Sequence, residues 1–214
     1  MGTLLADKKK LRREYSFGRL SRNDLDASPL SQFTRWFGEA EEAGIVDVSA
    51  MALATSDLES RPTVRIVLLK HYDELGFCWY TDYESEKGSQ LSANNRAEVL
   101  FYWKELDRQV RISGKVSKTS VEESDFYFDE RPQESQAASI ASEQSQLIES
   151  RLILEDRYQI AVSSQVALVR PERWGGYRLL PDKYEFWQGR EARLHDRFCY
   201  TYAVGEWSIT RIQP

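Results

Sequence analysis

The sequence predicts an α+β fold, a strongly curved antiparallel sheet or barrel with helices inserted into it and appended to it. Three observations carry that expectation. Strand-like runs are short, consecutive and joined by brief turns, which is how antiparallel pairs read. Helical patterns are grouped instead of alternating with strands, which argues against a doubly wound parallel sheet. A chain of 214 residues, 41% hydrophobic and 29% charged, is long enough to bury a core in one domain without disulfides or metal.

Residues 1–27 are polar and charged with no sustained period and are expected to form a mobile N-terminal arm, leaving 28–214 as a single domain. Ser28 as N-cap, Pro29 at the first helical position, and Leu30, Phe33, Phe37 and Ala40 on one face describe an amphipathic helix ending at Gly44. Strand runs follow at 50–55, 63–70 and 77–81, with a turn at 73–76, then at 97–103 and 108–118 on either side of a turn at 104–107. Ser85 to Gly88 opens a polar helical turn. Ser120 and Glu123 form a capping box for a helix over 121–130, and Leu147, Leu152, Leu154 and Tyr158 mark another over 145–161. Strands return at 174–180, 183–188, 196–204 and 206–212, the last two joined by a tight turn at Gly205.

Bulk properties exclude several classes. A net charge of -5 argues against a nucleic-acid surface, so an anionic ligand must be met by locally clustered cations. No apolar run approaches a membrane span and the N-terminus lacks the apolar stretch of a secretory signal, so the expected location is the cytoplasm. Cys78 and Cys199 each sit in a strand-like apolar run, as reduced buried thiols do. With two histidines, His71 and His195, and no cysteine pair, no metal is expected.

Chemistry concentrates in a few places. If 193–197 is extended, Arg193, His195 and Arg197 project from one face while Leu194 and Asp196 turn the other way. Three cationic or chargeable groups on one face repel unless an anion or an electron-rich ring sits among them; a solvated strand edge is the plainer alternative. Arg65, Ile66, Val67, Leu68, Leu69 and Lys70 form an apolar run with a cation at each end, where ordinary strand-end solvation is equally open. Lys87, near a helix start, suits a phosphate. Tyr127 and Arg131, four apart, share a face if their helix continues that far.

In order along the chain, RREY at 12–15, RIVLLKHYDE at 65–74, YT at 80–81, RQVRISGKV at 108–116, RP at 131–132, SQ at 135–136, QS at 144–145, WGGYR at 174–178, EFWQG at 185–189 and RLHDRF at 193–198 resemble the pyridoxamine 5′-phosphate oxidase family. The resemblance implies an FMN-binding split β-barrel with peripheral helices, a homodimer with FMN at its interface, and oxidation of pyridoxine 5′-phosphate or pyridoxamine 5′-phosphate to pyridoxal 5′-phosphate. O2 takes the electrons and leaves as hydrogen peroxide. Carried over position by position, the FMN set is Arg65 through Lys70, Tyr80, Thr81, Lys87, Gln109, Gln144, Ser145, Trp187 and Arg197. The implied substrate set is Lys70, Tyr127, Arg131, Ser135, Arg193, Leu194 and His195, with Arg12 and Tyr15 of the arm as a cover. Arg193 and His195 are the implied catalytic pair, and His195 is the candidate base.

Two departures stand out: Glu86 occupies a position where the resemblance leads one to expect a basic residue, and 146–171 matches poorly. Two other readings remain open at this point. One is a flavin oxidase of the same fold acting on another aromatic substrate, as in phenazine pathways; the other is a non-catalytic flavin or pyridoxal-phosphate binding protein.

Overall fold

The computed structural model describes residues 14–15 and 18–214. Its elements run α1 (Pro29–Glu42), β1 (Ala50–Ser56), β2 (Pro62–Leu68), β3 (His71–Asp73), β4 (Gly76–Asp82), α2 (Glu86–Ala93), β5 (Arg96–Trp103), β6 (Arg108–Lys118), α3 (Val121–Asp129), α4 (Gln133–Ala141), α5 (Arg151–Val162), β7 (Trp174–Gln188), β8 (Asp196–Ala203) and β9 (Glu206–Ile212). Strand order is β2-β1-β5-β6-β7-β4-β3, with β8 beside β7 and β9 beside β8. The pairs β1/β2, β1/β5, β3/β4, β4/β7 and β8/β9 are all antiparallel, so the α+β expectation holds. Among the described residues no helix is long and apolar enough to cross a membrane.

The chain divides into two compact units. The first comprises the described residues up to Val48 with Tyr102–Val110 and Glu185–Pro214. Its core is built by α1, whose N-cap Ser28 accepts a hydrogen bond from the Ser31 amide. Phe33, Trp36, Phe37 and Ala40 recur at helical spacing and are buried. Phe33 meets Phe37 and Trp103, and Trp36 stands edge-on to Phe186, which in turn meets Tyr200. Each such ring withdrawn from water contributes roughly 2–3 kcal/mol before entropy is counted. Leu20 and Leu25 are buried as well. The Leu20 amide donates to Asp196 Oδ2 at 3.0 Å, and the Tyr200 hydroxyl donates to the Asp26 carbonyl at 2.7 Å.

The second unit comprises Ser49–Phe101 and Arg111–Tyr184. In β4 nearly every residue is buried, as suits a strand packed on both faces. In β2 burial alternates: Thr63, Arg65 and Val67 are half-buried, while Val64, Ile66 and Leu68 are 69%, 67% and 41% exposed. β2 lies at the end of the strand order, so this apolar face belongs to an edge strand.

Several expectations need correction. α4 falls in a stretch for which the sequence suggested no element. β7 is one unbroken strand where two were expected, since Leu180, Pro181 and Asp182 stay within the strand. The Ser120 half of the capping box forms, its hydroxyl accepting from the Glu123 amide at 3.0 Å. The Glu123 carboxylate instead meets Arg178 and His71. α3 ends at Asp129, so Arg131 lies beyond it. Arg193 is not on a strand: Ala192 and Arg193 have φ of 53° and 64°, and β8 begins only at Asp196. The single-face alternation of Arg193 with His195 and Arg197 therefore does not form.

Candidate functional site

A cavity of about 650 Å³ opens in the second unit. Arg65, Ile66, Val67, Leu68 and Lys70 line it from β2 and the residues after it, Tyr80 and Thr81 from β4, and Lys87 from α2. Tyr127, Arg131, Ser135, Gln144 and Ser145 complete the group expected from sequence. Glu86, Pro132 and Trp174 line it too.

Arg65 is fixed before any ligand arrives. Its guanidinium donates to the Leu53 carbonyl at 3.1 Å, to Thr55 Oγ1 at 2.6 Å and to Thr63 Oγ1. Gln90 Oε1 accepts from both threonine hydroxyls, which locks the frame. The cross-strand register of β1 and β2 sets Arg65 opposite Leu53 and so makes this network possible. Glu86 Oε2 lies 3.9 Å from the guanidinium on a 61% exposed side chain, a weak ion pair.

Lys87 is held by helix geometry. Ser85 caps α2 by accepting from the Gly88 amide, which sets Lys87 in the first turn. Gly88 is required there because a Cβ would collide with the Tyr83 backbone carbonyl. Lys87 is 7% exposed, and its Nζ donates to Gln144 Oε1 at 2.6 Å, Thr81 Oγ1 at 3.2 Å and Ser85 Oγ at 3.3 Å. Its neighbours are neutral oxygens, not a carboxylate. Burial, and then the nearby Arg65 charge, push its pKa down to about 8, with Asp82 and Glu86 opposing.

On the aromatic wall Tyr80 stacks on Tyr127 with centroids 3.8 Å apart and lies near-parallel to Trp174 at 5.7 Å. Arg131 sets its guanidinium 4.5 Å from the Trp174 ring centre and donates to Ser139 Oγ at 2.7 Å. Burial raises the Tyr127 and Tyr80 pKa values, so both phenols stay protonated donors.

A second constellation lies in the first unit. Tyr15 stands edge-on to Trp187 at 5.6 Å and to His195 at 5.1 Å, and Arg193 places its guanidinium 5.4 Å from the Tyr15 ring centre. His195 Nδ1 accepts from the Arg190 amide at 3.0 Å. Burial, then Arg193 and Arg197, lower the His195 pKa, with Asp196 opposing. Arg197 donates through Nε and a terminal nitrogen to the buried Glu185. Leu194 is 70% exposed.

The expected residues thus fall in two sets. Leu69 is buried beside the cavity run without lining it. Gln109 lies on β6 in the first unit with Trp187, Arg193, Leu194, His195, Arg197 and Tyr15. Arg12 lies outside the described residues. Sequence reasoning did not find the frame of Thr55, Thr63 and Gln90 around Arg65; short polar side chains in strands carry no signal until a register is known.

The fold also gathers His71 Nε2, Cys78 Sγ and Glu123 Oε1 within 4.8 Å of one another. Arg178 donates to the same Glu123 oxygen at 2.8 Å, and burial pushes the Cys78 thiol up to about 12. A cation there would meet a guanidinium and a protonated thiol.

Residues 37–161 match the family model described as pyridoxamine 5′-phosphate oxidase, and 174–214 match the pyridoxine 5′-phosphate oxidase C-terminal dimerisation region. A pyridoxine/pyridoxamine 5′-phosphate oxidase of Paraburkholderia phymatum is 53% identical over 95% of this chain and 97% of its own. One from Burkholderia cenocepacia is 50% identical over 99% of this chain and 100% of its own. Among solved structures, PhzG of Burkholderia lata, in complex with tetrahydrophenazine-1-carboxylic acid, superposes with a TM-score of 0.87 at 33% identity, covering 90% of this chain and 95% of that one. An FMN-binding, pyridoxamine 5′-phosphate oxidase-related protein of Nostoc punctiforme shares the fold at a TM-score of 0.71 and 17% identity, over 89% of this chain and 100% of that one. With its antiparallel split-barrel fold and near full-length relatives, this chain belongs to the pyridoxamine 5′-phosphate oxidase family.

Proposed function

We propose that the protein is an FMN-dependent oxidase of vitamin B6 phosphates. It converts pyridoxine 5′-phosphate and O2 to pyridoxal 5′-phosphate and hydrogen peroxide; with pyridoxamine 5′-phosphate it also consumes water and releases ammonia. One observation carries the reading: a single cavity holds two sets of phosphate-competent donors beside a wall of flat rings. Arg65, Lys87, Thr81 and Ser145 form one set, and Arg131, Ser135, Tyr127 and Lys70 the other. Two phosphorylated aromatic molecules are what such a pocket suits.

The donor set fits an FMN phosphate. Lys87 already satisfies its ammonium with neutral oxygens, so an arriving phosphate supplies the missing countercharge. When bound, FMN supplies the acceptor for the two electrons that pass on to O2. This chain's residues position the reactants and exclude water. Arg131, Ser135 and Tyr127 grip the substrate phosphate, while Arg193, His195 and Tyr15 are the proposed ring-binding residues.

A homodimer with FMN at its interface is part of the proposal. The dimerisation-region match supports it, as does the exposed apolar face of edge strand β2, from which Ile66 and Leu68 also line the cavity. A second reading, oxidation of a reduced phenazine carboxylic acid, is favoured by the likeness to PhzG. The test is hydrogen peroxide release by the FMN-loaded protein. Release with pyridoxine 5′-phosphate and not with tetrahydrophenazine-1-carboxylic acid supports the first reading; the opposite pattern supports the second, and no release with either leaves a non-catalytic binder.

A further inference from the structure

We infer that His195 acts as a hydrogen-bond donor through Nε2, its other nitrogen being reserved by the Arg190 amide, and is not the proton acceptor of the reaction. This rests on the reading of His195 as a substrate residue, and it settles which of two roles that residue plays. The observation is the 3.0 Å hydrogen bond from the Arg190 N–H to His195 Nδ1. A ring nitrogen accepts only when it carries no proton, so the neutral imidazole must hold its hydrogen on Nε2. To accept a proton at Nε2, the ring would have to become an imidazolium or shift to the other tautomer. Either change points an N–H at the Arg190 N–H and breaks the bond.

The local chain is shaped to make that bond. The Gly189 amide donates to the Asp107 carbonyl at 2.8 Å, which anchors the end of β7. Ala192 and Arg193 then enter the left-handed region, and the Leu194 amide closes on the Glu191 carbonyl at 3.1 Å. This tight curl returns the His195 ring to the Arg190 amide five residues earlier. Trp187 at 4.6 Å and Tyr15 at 5.1 Å hold the ring from the sides. Gly189 makes room for Tyr15, since a Cβ there would strike its ring. Arg190 is thus a positioning residue that works through its backbone.

The surrounding charges agree with a neutral donor. Arg193 and Arg197 bear on His195, and both disfavour an imidazolium. The neighbouring Asp196 carboxylate is committed elsewhere: it accepts from Arg190 at 3.0 Å, from Arg211 at 2.6 Å and from the Leu20 amide at 3.0 Å. Among the described residues no carboxylate hydrogen-bonds the ring, so the partner that stabilises an imidazolium in base-type histidines is missing. The donor at Nε2 then suits a lone pair on the substrate, an oxygen or ring nitrogen, and the proton released from the substrate's alcohol or amine leaves to water.

The tautomer is directly measurable in the holoenzyme. With imidazole nitrogens labelled with ¹⁵N, the spectrum contains only His71 and His195, and a His71→Gln variant assigns them. The expected result near neutral pH is a bare Nδ1 and a protonated Nε2 at His195. A protonated Nδ1, in either the other tautomer or the imidazolium, overturns the inference. A second readout comes from turnover. His195→Gln keeps a donor near the Nε2 position and should retain kcat within about tenfold, whereas His195→Leu should lose about 10²-fold or more. Equal losses in the two variants would restore the base role. Should wild-type protein release no peroxide from pyridoxine 5′-phosphate, the proposed function fails while the tautomer result stands or falls by itself.

Discussion

Lys87 and Glu86 show how single side chains set the strength of the phosphate site. With its pKa pushed down to about 8 by burial, Lys87 is largely charged at neutral pH and loses its proton as pH rises through that value. A bound phosphate raises the pKa again, so binding is linked to proton uptake and weakens as pH rises above about 8. FMN affinity, followed by fluorescence quenching, should therefore fall between roughly pH 8 and 10, while riboflavin affinity stays level; parallel curves for the two flavins would remove Lys87 from the phosphate site. Glu86 acts in the opposite sense, since it faces Arg65 at 3.9 Å and lines the cavity. Glu86→Arg should tighten FMN by up to about fivefold, as expected for a screened, exposed charge. Equal or poorer affinity in the same titration would mean that the carboxylate serves the N-terminus of α2 instead. For the ring-binding set, Arg193→Ala should weaken substrate capture while FMN stays bound, and His195→Asn should lower turnover more than FMN content. Unchanged kcat/KM in both would take the pair out of the site.

At the scale of elements, the sequence is most readable where one period dominates. α1 was legible from Ser28, Pro29 and its apolar stripe, and β8 and β9 from the turn at Gly205, because local chemistry alone dictates these elements. α4 was not legible. Pro132 reads as a breaker, yet it sits at the N-cap, and the segment after it buries only Ala137 and Ala141, too few apolar positions to make a stripe. Pro181 and Asp182 interrupt the strand pattern in the sequence, yet β7 runs through them. The candidate site was legible mostly through resemblance, since Arg65, Lys87, Arg131 and Ser135 share no period and only the fold brings them to one cavity. Helix α2 carries its own prediction. Gly88→Ala would press a methyl group onto the Tyr83 carbonyl, costing about 1–3 kcal/mol and displacing Lys87. Denaturant unfolding and FMN titration should both report the loss, and a variant with unchanged stability would show that the helix start can shift freely.

For the whole molecule, the exposed face of β2 is the feature that a lone chain leaves unexplained. Val64, Ile66 and Leu68 form an apolar row on an edge strand, a liability that a second copy would cover. Val64 lies outside the cavity lining, so Val64→Lys should shift sedimentation toward the monomer and weaken FMN binding together. A dimer that persists with full affinity would place the interface elsewhere. The central claim is that one cavity serves a flavin and a vitamin B6 phosphate in electron transfer between them. Its most direct test is the visible spectrum of the FMN-loaded protein without oxygen. Adding pyridoxine 5′-phosphate should bleach the flavin bands, and admitting O2 should restore them with one pyridoxal 5′-phosphate formed per peroxide; flavin bands unmoved by that substrate would contradict the claim.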